Sequence, residues 1–481
     1  MKKVLVTAFT AMCLCAATAQ TFPGYRAGNY TGVNGVFFNP ANIADSRYRF
    51  DFNLISVNGL VNNDKASFNF DKLTESLNGD SLKSLLFGES PSTTGNINVD
   101  IFGPSLMFNV GKKTSLAFTT RLRTIANISN LDGKYITKVS NEPTPDATLP
   151  YTSNNPMPMK FAINGWAELG VSWGQVLVSE GKHFIKVGAS GKYLAGGAAA
   201  SLGFENFRST VSYDGVIQDN FVTNTTGRVN MAFGGVNVNN LGISDLTKFK
   251  GKGLGFDFGF VYEFRPHPEK FTLANGQADR ERNKYAFKLG IALTDIGSMQ
   301  YDLDTARSGD YNVNITGNNR FYLDQVGDAG LDGYKALFRR YPQYFSPVQS
   351  ANGDKLKIGM PTTLQVDADL HLHKGFYIAG AAQVALTDKS DANTITNYNS
   401  FSLTPRFEGR RIGLYIPLST NDITGFNAGA SIRLGPLFVG SGSIITALFS
   451  NSKQADVHFG LRFGGLYSKT KKKKTNDEDA E

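Results

Sequence analysis

Cysteine is nearly absent: the 481 residues hold two, Cys13 and Cys15, both near the start. Past Cys15 there is no thiol, which excludes disulfides and thiolate metal sites from the rest of the chain. After the N-terminus no run of about twenty apolar residues occurs, so the sequence offers no helical membrane span. Nucleophile elbow, P-loop, H-E-x-x-H and EF-hand loop do not stand out either. The five histidines suggest no Ser/His pair, and His183 and His267 fall in expected turns. The chain therefore reads as non-enzymatic, with no cofactor and no metal.

What is present is glycine (51 residues) and phenylalanine (36), with a negative mean hydropathy. The stretch Gly253 to Arg265 shows how they are used. Leu254, Phe256, Phe258, Phe260, Tyr262 and Phe264 share one parity; Gly255, Asp257, Gly259, Val261, Glu263 and Arg265 share the other. Side chains alternate across a strand, so one face is an aromatic wall and the other is small or charged. About 9–11 such residues cross a bilayer with the apolar side toward lipid.

The pattern recurs. Tyr48, Phe50, Phe52 and Leu54 are expected outward, with Arg49, Asp51 and Asn53 inward. From Ile97 to Val110 the apolar parity switches from odd to even at Gly103-Pro104, so a bulge or kink is expected there. Further strands center on Leu116–Arg123, Ala167–Gly174, Ile185–Tyr193, Tyr285–Thr294, Leu364–His373 and Phe376–Leu386, with shorter ones from 401 to 463. Residues 195–252 and 297–361 read as long irregular loops. The second holds a helical face of Leu331, Tyr334, Leu337 and Phe338; Leu73, Leu77, Leu82, Leu85 and Leu86 suggest another short helix.

The total is about fourteen strands, an even number with turns alternately short and long, as a closed single-chain outer-membrane barrel requires. Only 266–284 is long where a short turn is expected. A soluble sandwich also alternates, but it does not place so many aromatics outward. The fold class is all-β: a closed antiparallel transmembrane β-barrel with an N-terminal lumenal plug and long extracellular loops. Residues 1–19 read as a signal peptide, 20–47 as the plug, 48–464 as the barrel and 465–481 as a charged, disordered periplasmic tail. The formal charge of +8 falls to +6 without Lys2 and Lys3, much of it in that lysine tail, and no nucleic-acid partner follows.

The run Val36-Phe37-Phe38-Asn39-Pro40-Ala41 resembles the Asn-Pro-Ala segment near the mature N-terminus of the FadL family of outer-membrane barrels. Gly188–Ala195, Gly251–Tyr262, Thr294–Ser298, Thr404–Glu408 and Arg433–Leu437 are similar to segments of a Bacteroidetes barrel family without an assigned activity. The resemblance implies a Gram-negative outer-membrane location, outer-membrane lipid around the barrel, and passage of hydrophobic small molecules past a plug containing Asn39, Pro40 and Ala41. It also implies a lateral opening at a strand kink, for which Gly103-Pro104 is the candidate beside an ordinary bulge. The alternative is a scaffold serving a surface-protein secretion or attachment complex.

The lumen-facing set is Arg49, Asp51, Arg121, Arg123, Glu168, Lys186, Lys192, Asp257, Glu263, Asp367, Asp369, His371, His373 and Arg433. Both charge signs occur, which suits pairing across strands in a packed or plugged lumen rather than a wide pore. Asp367, Asp369, His371 and His373 offer metal-ligand types on one face. Successive same-face residues are about 7 Å apart, so all four cannot reach one ion, and a polar ladder is the other reading.

Overall fold

Alternation of bulky apolar with small or charged residues gives each segment two unlike faces, and fourteen such segments curl into one antiparallel sheet. The computed structural model describes residues 21–65, 67, 90–140, 143, 145–155, 157–236, 249–272, 279–349, 353–389, 391 and 393–467. The expected signal peptide, the Leu73–Leu86 helix and nearly all of the charged tail lie outside the described residues.

The first seven barrel strands are β1 (Tyr48–Asn63), β2 (Thr93–Phe102 and Ser105–Asn109), β3 (Thr114–Leu131), β4 (Met159–Glu180), β5 (His183–Asp214), β6 (Asp219–Gly235 and Gly251–Phe264) and β7 (Phe287–Asp302). The others are β8 (Lys355–Gly359 and Thr363–His373), β9 (Phe376–Ala385), β10 (Ser400–Glu408), β11 (Ile412–Tyr415 and Leu418–Asn421), β12 (Gly425–Ala428 and Ala430–Leu434), β13 (Leu437–Ser441) and β14 (Gln454–Leu466). Each strand pairs with the next, and β14 returns to β1 from Tyr48↔Leu466 to Asn62↔Gln454. Closure leaves the sheet without an edge.

The two faces differ sharply. On β4, Leu169 is 58% exposed and Val171 52%, whereas the flanking Glu168 and Ser172 are 3% and 1%. Leu254, Phe256 and Phe258 are likewise exposed beside buried Asp257. An apolar outer band around a polar interior is what lipid as solvent demands.

Both described termini of the barrel lie at one end, here the near end, together with the tight turns after β2, β4, β8, β10 and β12. The far end is taller. β5 runs unbroken for 32 residues, and the first half of β6 pairs with it from Asp214↔Asp219 to Ala198↔Gly235. Gly309–Ile315 extends β7 beside that half, and helices α1 (Gly133–Ser140) and α2 (Asp324–Arg340) cover this sheet. The cluster beneath them includes Phe207, Val211, Val222, Tyr334 and Leu337. The expectation of irregular chain over 195–252 is thus corrected for 195–236 and 251–252; residues 237–248 lie outside the described residues. The aromatic alternation lapses there because protein, not lipid, covers the sheet.

Two more details depart from strict parity. A register shift between Tyr48 and Phe50 turns Tyr48 inward and leaves Arg49 exposed, the reverse of the expected assignment. In addition, β13 is short, and α3 (Ile444–Phe449) takes its place in the wall between β12 and β14.

Candidate functional site

Residues 21–47 fold inside the cylinder at the near end as three 3-10 turns, Tyr25–Ala27, Gly32–Phe37 and Pro40–Ile43. Asn39 starts the last of them. Its Oδ1 accepts from Ala41 N at 2.9 Å, and Pro40 follows at the first helical position. Its Nδ2 donates to the carbonyls of Phe260 (3.1 Å) and Ile291 (3.3 Å), which face each other across β6 and β7. The motif rests on a row of glycines, Gly174↔Gly188↔Gly259, at one level of β4, β5 and β6. A Cβ on Gly188 would run into Pro40 and Ala41, and one on Gly259 into Asn39. Here the missing side chains let another backbone approach the wall. In the sequence this row is visible only as glycine on the inward parity.

Around this segment the inward side chains hold it by polar contacts. Asp51 accepts from Val33 N at 2.7 Å and pairs with Arg462. The Asn29 backbone donates to both Glu408 carboxylate oxygens at 3.0 Å. Tyr25 stacks on Phe438 with ring centroids 3.8 Å apart. Buried Arg433 donates to Gly409 O at 2.6 Å and lies over the Tyr30 ring.

The segment ends in a clasp. Asp45 is held by Arg265 at 2.7 Å, Lys284 at 3.0 Å and Arg280 at 3.4 Å, while Lys186 donates to Ala44 O at 3.0 Å and lies near Glu263. Burial alone would raise the Asp45 pKa, but Lys284, Arg265 and Arg280 together hold its carboxyl below the usual range. Three of these cations, Arg265, Arg280 and Lys284, come from the 265–286 connection, whose described residues fold across the near mouth.

Above the segment lies a second charged layer. Arg123 meets Asp295 at 2.7 Å and Glu168 at 3.4 Å; Lys192 joins Asp295 and Asp257 at 2.7 Å each; Arg121 meets Asp100 at 2.7 Å. Higher still, the connection 386–399 turns inward. Asn127 exchanges hydrogen bonds with the Thr396 backbone at 3.0 Å each way, and Tyr398 Oη donates to Gly95 O at 3.0 Å. Nothing in the sequence marks this loop as an inward one.

Of the expected lumen-facing residues, Asp51, Arg121, Arg123, Glu168, Lys186, Lys192, Asp257, Glu263, Asp369 and Arg433 are buried in these layers, and Asp367 is half-buried. His373 is exposed at the β8–β9 turn, a departure from its expected place, because the strand ends there. His371 is half-buried, stacked on Tyr377 at 4.6 Å. The four ligand-type residues of β8 are therefore dispersed: Asp369 binds Arg406 at 2.6 Å, and no group of three or more such residues suited to a metal occurs among the described residues.

At Gly103-Pro104 the register against β1 is unbroken, Ser56↔Phe102 and Asn53↔Ser105, while that against β3 slips by one residue. Asn53 Nδ2 donates to Phe102 O and Gly103 O at 3.0 and 2.9 Å, and Gly103 N to Thr120 O at 3.0 Å. The wall is continuous across this bulge. One Gly-x-Ser-x-Gly run does occur, Gly170 to Gly174, but on straight β4; Ser172 shares a 2.7 Å hydrogen bond with Ser190. An elbow needs a strand-to-helix turn, and this run has none.

Below the charged layer, between the inner segment, β8 and the 265–286 connection, lies a polar chamber of about 90 Å³. A smaller one of about 30 Å³ lies higher, lined by Arg26, Arg121, Arg123 and Asn397 among others.

A family of unknown function, DUF5723, matches residues 40–442. No curated protein matches the chain. Among solved structures the chain is similar to a Pseudomonas aeruginosa FadL homologue (TM-score 0.43, 10% identity, covering 93% of this chain and 99% of that one). It is also similar to the Ralstonia pickettii toluene transporter TbuX (0.42, 10%, 92% and 98%) and the Pseudomonas putida toluene transporter TodX (0.35, 7%, 93% and 98%).

Proposed function

We propose that this chain, which belongs to the DUF5723 family of unknown function, is a plugged small-molecule channel of a Gram-negative outer membrane. The near end faces the periplasm and the far end faces out. The observation that carries the reading is how residues 21–47 are held. They fill the lumen through reversible polar contacts, the Asn39 cap, the Asp45 clasp and the Asp51–Arg462 pair, on a glycine row that a Cβ would spoil. A stopper so held comes out without melting the wall, because no barrel strand depends on it for pairing. Fluorescent-solute release from liposomes tests this. The full chain should leak little, and a variant lacking residues 21–44 should leak freely; equal, low leakage of both would refute it.

Hydrophobic cargo, which the FadL resemblance implies, finds support at a different place from Gly103. Between β12 and β14 the wall is a short helix, α3, with Leu448 53% and Phe449 86% exposed, tied to β12 by Thr446 Oγ1 accepting from Ala428 N at 2.7 Å. A helix swings from a ladder more readily than a paired strand, so a lateral route for such molecules would use α3. Uptake of a labeled fatty acid, unchanged when α3 is cross-linked to β12, would sink this route. The scaffold alternative draws on the helix-covered sheet at the far end, a surface for partners outside.

A further inference from the structure

The near-end chamber is charged unevenly. Eight cationic side chains and four carboxylates line it. The clasp takes up two of the carboxylates, Asp45 and Glu263, and Arg406 takes Asp369 in a two-pronged contact at 2.9 and 2.6 Å. That leaves Arg26 and Arg47 in no ion pair among the described residues, and Lys288 only at 3.8 Å from Asp369, which Arg406 already holds; Arg26 donates to Gln365 Oε1 and Arg47 to Tyr30 Oη at 2.9 Å. Each rests instead on an aromatic ring: Arg26 over Phe38 at 4.9 Å, Arg47 over Tyr30 at 4.6 Å, Lys288 over Tyr285 at 5.5 Å. A ring fixes the side chain without neutralising it or occupying most of its N–H donors. Among the lining carboxylates Asp367 alone is in no ion pair among the described residues and faces Arg26, while Glu408, outside the lining, faces Arg47.

We propose that this chamber is a binding site for a small oxyanion, a carboxylate or phosphate group, held by Arg26, Arg47 and Lys288. A planar guanidinium matches two oxygens of such a group, and the third cation supplies a point charge. The volume, about 90 Å³, holds several waters or one such anion. The state of Arg26 agrees: burial pushes its guanidinium down to about 10, and Asp367 offsets only part of that. Arg282 and Asn283 of the near-end connection are part of its lining.

The test is calorimetric titration of the detergent-purified full chain with inorganic phosphate and, separately, acetate, against sodium chloride of equal ionic strength. Saturable binding of either supports the site and tells the two sources apart. The double variant Arg26→Gln/Lys288→Gln should weaken binding at least tenfold, with Lys112→Gln in the β2–β3 turn as a silent control. Asp367→Asn removes the opposing charge and should tighten binding severalfold, a gain that misfolding cannot mimic. Saturation by neither anion, or unaltered binding in all variants, overturns the proposal. Leakage plays no part in this test, so its outcome is separate from that of the channel.

Discussion

Replacing Asn39 by Ala removes the one side chain that both starts the Pro40–Ile43 turn and hooks it to two barrel strands. The lost cap is worth about 1 kcal/mol. The two hydrogen bonds to Phe260 O and Ile291 O, both between neutral groups, are worth about 1 kcal/mol each at most. A total of roughly 2–3 kcal/mol shifts the docked-to-released ratio of the inner segment by roughly 30- to 150-fold. The cysteine-poor sequence makes this measurable. With Cys13 and Cys15 replaced by Ala, a single Val36→Cys reporter, at a position 2% exposed, reacts with a water-soluble maleimide only when the segment leaves its seat. The labeling rate follows the released fraction, so Asn39→Ala should raise it by that factor. Gly188→Val, which pushes on Pro40 and Ala41 from the wall side, should do the same by an independent route. A rate within twofold of the parent in both variants would refute the idea that this turn is what seats the segment.

Two other outcomes follow from the same geometry. Asp45→Asn leaves Lys284 and Arg280 without their carboxylate and Arg265 with Glu263 alone, a loss of about 3–5 kcal/mol for a buried pair, seen as faster labeling of the Val36→Cys reporter. In the parent the Asp45 pKa is depressed on folding, so its contribution is fully present above the unfolded value of about 3.8 and is lost as pH falls toward the folded one; the labeling rate, divided by that of a free thiol at the same pH because the thiolate is what reacts, should be flat from pH 5 to 8 and rise only on stronger acidification. On the outer face, Phe258→Arg puts a charge in the apolar band and should cost about 2–4 kcal/mol if it sits near the bilayer midplane, lowering the heat-modifiable folded fraction on a gel, whereas Phe264→Arg at the strand end should cost little.

Much of the barrel was legible because lipid on one side and a polar interior on the other impose a period of two with few exceptions. The odd-to-even switch at Gly103-Pro104 shows that even a bulge leaves a trace when both flanking strands face lipid. Arg49 shows the limit. A register shift at the first residue of a strand has no apolar run before it to reveal the change of phase. The tall part of β5 and β6 was invisible for another reason: Phe207, Val211 and Val222 are covered by α2 and its neighbours, so the outward-aromatic rule no longer applies. Parity names inward charged residues one by one, not the layers they form, and it misplaces Arg49 and His373, which are exposed. Which Arg meets which Asp depends on strands distant in sequence, as Arg123 and Asp295 do across 172 positions. The inward turn of 386–399 and the helix standing in for β13 carry no composition that separates them from ordinary loops.

The height of β5 places one polypeptide in two solvents. Its lower half sits where apolar contact with the surroundings is no penalty, so stability there comes from closed hydrogen bonding. Its upper half packs Tyr334, Leu337 and Phe345 against the sheet as any water-soluble core does. Urea and cold therefore act on the two halves by different means, and the crown softens while the stave beneath it stands.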